Sequence, residues 1–282
     1  MIKKLGILFL TGILFFTSKV YSQDPNFYIF LCFGQSNMEG AARPEEVDKT
    51  VDSSFMVLES VDCPDLGRTK GNWYPAIPPL CRCRTGLSPA DYFGRTLVAA
   101  LPENVKVGIV HVAVAGCKIE LFDKDSVKSY SSRQPVWMTR IIEEYGGDPY
   151  ARLIEMAKLA QKDGVIKGIL LHQGESNASD TTWPSKVKKV YDSILKDLDL
   201  ESGSVPLLAG EVVNADQKGV AAGANKNLAK LPAVIPNSYI ISSAGCTAGR
   251  DNLHFNAAGY RKLGTRYGVK MLSFWDIKFV SK

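Results

Sequence analysis

The sequence of 282 residues is 45% hydrophobic and 22% charged, a balance typical of a globular protein that buries a full core. Its formal net charge of +5 comes from 34 basic and 29 acidic residues that are spread along the chain. Lys186, Lys188 and Lys189 form the one basic cluster, and their spacing is typical of a solvated helix face. Composition and charge therefore predict no nucleic-acid partner.

Residues 1–22 have the three-part layout of a secretory signal peptide. Lys3 and Lys4 precede an apolar run over residues 5–16, and small and polar residues follow it. This run is shorter than the roughly 20 residues that a membrane-spanning helix needs. We predict a cleaved signal, so that residues 23–282 form one domain, secreted or periplasmic, without stable membrane insertion. A retained N-terminal anchor is the alternative.

Short apolar runs alternate with segments of helical periodicity along the rest of the chain. The runs predict buried parallel strands over residues 27–33, 54–58, 105–112, 166–171 and 205–209. The periodic segments predict helices over residues 89–100, 150–162, 184–198 and 257–274. This alternation predicts an α/β fold with helices on both faces of one sheet, in which ligands lie at the carboxyl ends of the strands.

Six cysteines are present, and an exported protein can form disulfides. A bond between Cys63 and either Cys81 or Cys83 would close part of the long, irregular segment 63–87. The one-residue gap between Cys81 and Cys83 differs from the spacing of zinc and redox motifs, and no second pair stands at ligand spacing. We therefore predict no metal site.

Ser36 lies in the segment GQSNMEG over residues 34–40, directly after the first predicted strand. A serine on a glycine-flanked turn at the end of a buried strand is placed where a nucleophile would be exposed. The pattern differs from the nucleophile elbow Gly-x-Ser-x-Gly, because Met38 occupies the place of the second glycine. The alternative is that Ser36 only caps the element that follows.

The segment DNLHFN over residues 251–256 precedes the last predicted helix, for which Asn256 is a suitable N-cap. Asp251 stands three residues before His254 on the same loop, so its carboxylate can reach one ring nitrogen and hold the tautomer. The other ring nitrogen is then available to take the proton of Ser36. A serine, a histidine and an aspartate in these roles predict nucleophilic catalysis by acyl transfer.

Two further segments follow predicted strands. HQGE over residues 172–175 places polar side chains at the strand-end crevice, with a helix start as the alternative. A metalloprotease interpretation of His172 with Glu175 fails, because the spacing and the second helical histidine are missing. Gly116 follows the third predicted strand, where the backbone can approach a ligand closely and an amide can stabilise a tetrahedral oxyanion.

Taken in order, these segments resemble the SGNH-type hydrolases. Within that group the chain is similar to carbohydrate esterase family 6, which includes acetylxylan esterases, and to the related sialate O-acetylesterase domain. The similarity lies in Gly116 and in the segments at residues 34–40, 73–80, 172–175 and 251–254.

The resemblance spans about residues 27–275 and implies a three-layer α/β/α sandwich around a short parallel sheet of the flavodoxin-like type. It implies removal of acetyl groups from xylan or related glycans, with no cofactor and an acetylated oligo- or polysaccharide as the partner. A sialate O-acetylesterase would use the same machinery and recognise a carboxylate, for which Arg82 and Arg84 are candidates. The sequence is also compatible with a non-catalytic carbohydrate-binding protein on this fold and with an esterase of long acyl chains.

By the same resemblance, Ser36 is the nucleophile and His254 is the general base and acid. Asp251 orients His254. Glu175 is the other candidate for the acidic partner, and Asp251 is favoured because it shares the loop of His254.

The resemblance also implies an oxyanion hole made of the backbone amides of Ser36 and Gly116 with one side-chain amide. The wider group uses an asparagine in Gly-x-Asn-Asp for this third donor, whereas this chain has HQGE there, so Gln173 is the candidate. Trp73 and Tyr74, in the long irregular segment, form either a wall against which a sugar ring stacks or part of the core.

Overall fold

The computed structural model describes residues 23–279, and the predicted signal peptide lies outside the described residues. Over that range the centre of the molecule is a seven-stranded sheet. Its strands are β1 (Asp24–Gly34), β2 (Phe55–Leu58), β3 (Trp73–Pro75), β4 (Lys106–Ala113), β5 (Gly164–His172), β6 (Leu207–Gly210) and β7 (Ser238–Ile241).

Helices cover both faces of the sheet. In the described chain they are α1 (Ser36–Glu39), α2 (Pro89–Val98), α3 (Val127–Ser131), α4 (Val136–Glu144), α5 (Pro149–Ala160), α6 (Trp183–Asp197), α7 (Asn225–Leu228), α8 (Leu231–Val234) and α9 (Ala257–Ser273). Asn256 caps α9 as its position predicts, since its side-chain oxygen accepts from the amide of Gly259 at 2.8 Å.

The strand order is β3-β2-β4-β1-β5-β6-β7, and every neighbouring pair is parallel except β2 with β3. Without β2 and β3, which extend one edge, the remaining five strands have the 2-1-3-4-5 order of flavodoxin-like folds. The chain changes its winding direction between β1 and β5, so a crevice opens at the carboxyl ends of these two strands. The predicted α/β/α sandwich around a parallel sheet is confirmed.

Alternate residues of β1 point to opposite faces of the sheet, and both faces are buried. Phe33 packs in the apolar layer that α5 and α6 share, whereas Cys32 packs in the layer of α2 and α9. Burial of a side chain such as Phe33 stabilises the fold by about 1.5–3 kcal/mol relative to exposure. A strand that is apolar on both sides therefore forms the centre of the sheet and holds its carboxyl end rigidly.

The five predicted strands and the four predicted helices are confirmed, with ends that differ by a few residues. Strands β3 and β7 were not predicted, because each is only three or four residues long and partly exposed. The shorter helices were not predicted either, since none has more than nine residues and such segments carry little periodicity: α1, α3, α4, α7 and α8. Within residues 23–279, every helix falls short of the length and apolar character that crossing a bilayer requires.

Cys63 and Cys83 form a disulfide with their Cα atoms 5.4 Å apart, which is one of the two pairings that the sequence left open. Cys81 is buried, and its sulfur lies 3.2 Å from the hydroxyl oxygen of Tyr145. Burial raises the pKa of the Cys81 thiol to about 12. This thiol is therefore protonated and unreactive at neutral pH.

Trp73 is partly buried and packs against the core instead of forming a wall near Ser36. Its ring centroid lies 4.7 Å from that of Phe27, near the amino end of β1, and its indole nitrogen donates to Asp163 at 2.9 Å. The hydroxyl of the neighbouring Tyr74 accepts from a backbone amide at 2.9 Å. Of the two interpretations left open for these aromatic rings, the structure favours core packing.

Candidate active site

The carboxyl ends of β1, β4 and β5 bring together the segments that the sequence analysis singled out. Ser36 follows β1 as the first residue of α1, Gly116 lies just after β4, and Glu175 lies just after β5. The loop that carries Asp251 and His254 precedes α9 and reaches Ser36. The site therefore lies at the switch point in the strand order, where open α/β sheets bind their ligands.

Ser36, His254 and Asp251 form a continuous hydrogen-bonded relay. Nε2 of His254 lies 2.8 Å from Oγ of Ser36, and Nδ1 of the same ring lies 2.6 Å from Oδ2 of Asp251. Both distances are within the reach that a general base and its orienting group need. The side chain of His254 is 26% exposed, so the relay is open to a substrate.

The carboxylate of Asp251 is held by the backbone of its own loop. Its Oδ1 accepts from the amides of Leu253 and His254, both at 3.0 Å. Partial burial by itself raises the pKa of Asp251, but the hydrogen bonds from the His254 amide, the His254 ring and the Leu253 amide outweigh it and lower the pKa to about 2. The carboxylate is therefore ionised at neutral pH, and it accepts a hydrogen bond from the N–H group at Nδ1.

Asn37 fastens the histidine loop to the end of β1. Its Nδ2 donates to Oε1 of Glu175 at 2.6 Å and to the carbonyl oxygen of Leu253 at 3.0 Å. Its Oδ1 accepts from the hydroxyl of Tyr260 at 2.7 Å and from the amide of Phe255 at 3.3 Å. One fully buried side chain thus holds this loop on both sides of its histidine.

Glu175 bonds to Asn37, whereas the ring of His254 bonds to Asp251. Burial raises the pKa of Glu175, although the hydrogen bond from Asn37 acts in the opposite direction. Oε1 of Glu175 also lies 3.9 Å from Nε2 of His172. Burial lowers the pKa of His172 to about 3, so this imidazole is neutral and adds no positive charge beside the carboxylate.

The backbone amides of Ser36 and Gly116 donate to no acceptor within the described chain. The amides on either side of Gly116, those of Ala115 and Cys117, do donate inside the protein. Gly116 has a φ of +70°, a conformation that glycine adopts without steric cost. The turn after β1 and the turn after β4 therefore each present one free backbone amide that can donate a hydrogen bond to an oxyanion.

Gln173 has no exposed surface. Its Nε2 donates to Oδ1 of Asn177 at 2.8 Å, to Oε1 of Gln35 at 3.1 Å and to the carbonyl oxygen of Cys117 at 3.3 Å. Its Oε1 accepts from the indole nitrogen of Trp183. In contrast to the sequence expectation of an oxyanion donor, this amide is committed inside the protein, where it supports the turns after β1 and β4.

The arginines considered for carboxylate recognition have partners in the protein. Nη2 of Arg82 donates to Glu39 at 2.8 Å and Nη1 donates to Glu144 at 3.2 Å, and the side chain is only 13% exposed. Arg84 is exposed and pairs with Asp65 at 3.1 Å. The charge of Arg82 is therefore neutralised inside the protein, which removes it as a free binding group for a substrate.

Three residues near the site were missed by the sequence analysis: Trp137, Arg43 and Arg250. The ring of Trp137 covers Gly116, since a methyl group built on that glycine would lie 2.9 Å from Cη2 of the indole. The two arginines line a cavity beside His254. No motif marks Trp137 or Arg43, although Arg250 directly precedes the predicted Asp251 and its position was a usable signal.

A serine, a histidine and an aspartate in this geometry can carry out acyl transfer, with free amides nearby for the oxyanion. The α/β/α fold and the order of the motifs along it define an SGNH-type hydrolase. The sequence model of the family described as carbohydrate esterase, sialic acid-specific acetylesterase, matches residues 26–273, and the chain belongs to that family. This places it among the carbohydrate acetylesterases.

Solved structures share the fold. A protein from Arabidopsis thaliana aligns with a TM-score of 0.68 and 21% identity, over 91% of this chain and 100% of that chain. NanS aligns with a TM-score of 0.64 and 16% identity, over 89% and 98% of the two chains. A carbohydrate acetylesterase from Xanthomonas citri aligns with a TM-score of 0.60 and 18% identity, over 86% of this chain and 54% of that chain. At these identities the likeness concerns the fold.

Proposed function

We propose that this protein is an exported serine esterase that removes acetyl groups from xylan or related glycans through a covalent acyl-enzyme. The observation that carries the proposal is the relay from Ser36 Oγ through His254 to Asp251, with distances of 2.8 and 2.6 Å. A serine hydroxyl is a weak nucleophile by itself, and a base within hydrogen-bond reach activates it.

In the first step, Oγ of Ser36 attacks the acetyl carbonyl carbon while Nε2 of His254 takes the hydroxyl proton. The carbonyl oxygen becomes an oxyanion, which the free amides of Ser36 and Gly116 stabilise. The bond between the acetyl carbon and the sugar oxygen then breaks, and the imidazolium returns its proton to that oxygen. The ionised carboxylate of Asp251 stabilises the imidazolium that forms between these two transfers.

In the second step, water replaces the sugar. His254 takes a proton from the water, whose oxygen attacks the acetyl carbon, and Ser36 leaves with the returned proton. The products are acetate and the free enzyme, so this route needs no cofactor. Asp251 and Glu175 divide the acidic roles in this scheme: Asp251 contacts the imidazole, and Glu175 positions the loop through Asn37.

The matching family favours O-acetylated sialic acid as a second candidate substrate, because its description specifies sialic acid. Both substrates present an acetyl ester on a sugar hydroxyl, so the chemistry at Ser36 is the same. They differ in the sugar that leaves, which is neutral in the xylan backbone and carries a carboxylate in sialic acid.

Export is part of the proposal, because residues 1–22 have the layout of a signal peptide. The disulfide between Cys63 and Cys83 supports it, since such bonds persist in oxidising compartments. Expression of the full chain in a bacterium, followed by N-terminal sequencing of the protein outside the cytoplasm, tests it. We expect the sequence to start at Gln23, and an uncleaved cytoplasmic chain would contradict export.

Acetate release from acetylated xylan and from O-acetylated sialic acid tests the function directly. We expect residues 23–282 to release acetate and Ser36→Ala to lose at least about a thousandfold in rate. Ser273→Ala, an exposed serine at the end of α9, is the matched control and keeps full activity. Activity that survives in Ser36→Ala refutes the serine mechanism, and sugar binding without acetate release in the unmutated protein favours a non-catalytic binding protein.

A further inference from the structure

A cavity of about 450 Å³ opens beside the catalytic loop. One wall is formed by residues 41–45, which follow α1, and the other by residues 249–257, which lead into α9. The cavity is lined by Asp251 and His254, so it adjoins the relay directly. Its volume is within the range of small-molecule sites.

Two arginines and two acidic residues line this cavity, and they differ in whether they already have a partner. Arg43 and Arg250 are both exposed on its walls, and neither forms an ion pair with another described residue. The acidic side chains on the walls are already engaged: Asp251 bonds to His254, and Glu45 pairs with an arginine of α9 at 2.7 Å. Two free guanidinium groups therefore point to an anionic ligand.

The proposed chemistry determines where the sugar lies. Nε2 of His254 returns its proton to the sugar oxygen, so that oxygen must come within hydrogen-bond distance of the imidazole. The acetyl oxygen lies on the other side, at the free amides of Ser36 and Gly116. The leaving sugar therefore occupies the space next to His254, and this is the cavity that Arg43 and Arg250 line.

A second cavity of about 490 Å³ is lined by Lys118, Arg133 and Tyr130, together with the acidic Glu120. Neither Asp251 nor His254 lines that cavity, whereas both line the first one. A sugar bound there would not present its oxygen to Nε2 of His254 for protonation. The cavity next to the relay is therefore the better site for the leaving sugar.

We propose that this cavity is the subsite for the leaving sugar, and that Arg43 and Arg250 bind a carboxylate on that sugar. The proposal rests on the proposed function and specifies its substrate as an O-acetylated sugar with an acidic group near the ester. Two sources share this chemistry: sialic acid, and xylan that carries glucuronic acid branches. Arginine suits the role, because its planar guanidinium can donate two parallel hydrogen bonds to one carboxylate.

The test compares Arg43→Gln, Arg250→Gln and the double variant on four esters. These are O-acetylated sialic acid, acetylated xylan oligosaccharides with and without glucuronic acid branches, and 4-nitrophenyl acetate. Lys106→Gln is the control for loss of one positive charge. Lys106 is exposed at the amino end of β4, whereas the site lies at the carboxyl ends of the strands.

We expect each single variant to lower kcat/KM on the preferred acidic substrate about tenfold, and the double variant on the order of a hundredfold. The uncharged esters should change less than about twofold, and Lys106→Gln should change no substrate. The acidic substrate that shows the loss identifies the source. An equal loss on acidic and neutral sugars would overturn the proposal, because it would indicate a role in shape, and so would no loss on either.

A binding measurement separates this proposal from the proposed function. Ser36→Ala cannot react, so calorimetric titration of that variant with sialic acid and with glucuronic acid measures the subsite alone. Binding that disappears when Arg43→Gln and Arg250→Gln are added supports the subsite even if no ester is hydrolysed. Absence of binding for both acids, or binding that persists without the arginines, refutes it.

Discussion

The side-chain amide of Asn37 donates a 2.6 Å hydrogen bond to the buried carboxylate of Glu175. The same nitrogen donates to the carbonyl oxygen of Leu253, one residue before the catalytic histidine. The carboxylate of Glu175 therefore orients the side-chain amide of Asn37, and this amide holds the loop that carries His254. We infer from these contacts that Glu175 acts on His254 through Asn37, as a positioning residue, while Asp251 is the direct partner.

We expect Glu175→Ala to lower kcat about tenfold or more and Glu175→Gln to stay within about threefold of the unmutated enzyme. Glutamine keeps an oxygen that accepts from Asn37, whereas alanine leaves a buried donor unpaired, at a cost of about 1–3 kcal/mol. KM should change little, because neither variant alters the walls of the sugar cavity. Steady-state kinetics on 4-nitrophenyl acetate measure both parameters.

Thermal unfolding of the two Glu175 variants shows whether each is folded at the assay temperature. If Glu175 were instead the acidic partner of His254, glutamine would be as harmful as alanine, because the negative charge itself would be needed. Equal losses in two folded variants would therefore refute the positioning role.

Asp251→Asn should lower kcat by about 10³–10⁴-fold while the protein remains folded. An asparagine can present its amide group to Nδ1 of His254, which favours the tautomer with the proton on Nε2, where it cannot accept the proton of Ser36. Asp276→Asn, at an exposed position after α9, is the matched control and should have no effect. Kinetics on 4-nitrophenyl acetate provide the measurement, and a loss below about tenfold would contradict the assignment.

The central part of the fold was predictable because each long strand is apolar on both faces. The eight residues of β4 and the nine of β5 bury nearly every side chain, so their apolar runs differ clearly from the helices between them. Strand β7 has four residues, two of them partly exposed, and β3 pairs as a short antiparallel edge. Such elements form because a neighbouring strand offers hydrogen bonds, which a local sequence pattern does not record.

The site was predictable where chemistry depends on local spacing. Asp251 and His254 are three residues apart, so their contact follows from the loop itself. Gln173 was the candidate oxyanion donor because the family resemblance implies a side-chain amide in that role, but three separate loops supply the acceptors of its amide. The four contacts of Asn37 likewise reach residues at least 138 positions away, and no local pattern contains that information.

Replacement of both disulfide cysteines, Cys63→Ser with Cys83→Ser, should lower the free energy of unfolding by about 3 kcal/mol. The bond closes a loop with a sequence separation of 20, and its loss frees that loop in the unfolded chain. Urea unfolding measures the change, and reduction of the unmutated protein should give the same shift. A stability unchanged by reduction would contradict the prediction.

Cys81 should stay unlabelled by iodoacetamide in the folded protein, since its thiol is buried.

The contribution of Asp91 to the stability of the folded protein should fall as the pH rises from about 4 to about 7. Burial raises the pKa of this carboxyl from an ordinary value of 3.8 to about 7, although Ser88 donates two hydrogen bonds to it. Between these values the Asp91 carboxyl binds more protons in the folded state than in the unfolded state, so its contribution to stability decreases with pH and levels off above about 7.

Asp91→Asn should therefore remove this contribution, so that the urea midpoint of the variant rises with pH relative to that of the unmutated protein over this range. The introduced asparagine would still offer an oxygen to the Ser88 amide at the start of α2, so the helix cap is kept. Asp199→Asn, which replaces an exposed carboxylate, should leave the slope unchanged. A variant slope equal to that of the unmutated protein would show that Asp91 ionises normally in the folded state.

Gly116→Ala tests the backbone amide in the oxyanion hole. The added methyl would lie 2.9 Å from Cη2 of Trp137, and a φ of +70° is unfavourable for alanine, so the turn must shift and carry its amide with it. We expect kcat to fall on the order of a hundredfold with little change in KM, because the interaction forms only in the transition state. In the double variant Gly116→Ala with Trp137→Ala the clash is removed but the backbone strain remains. Thermal stability should then recover in part while kcat stays low, which would locate the loss at the amide and not in the packing of the ring. A single variant that is folded and keeps the kcat of the unmutated enzyme would exclude this amide as an oxyanion donor.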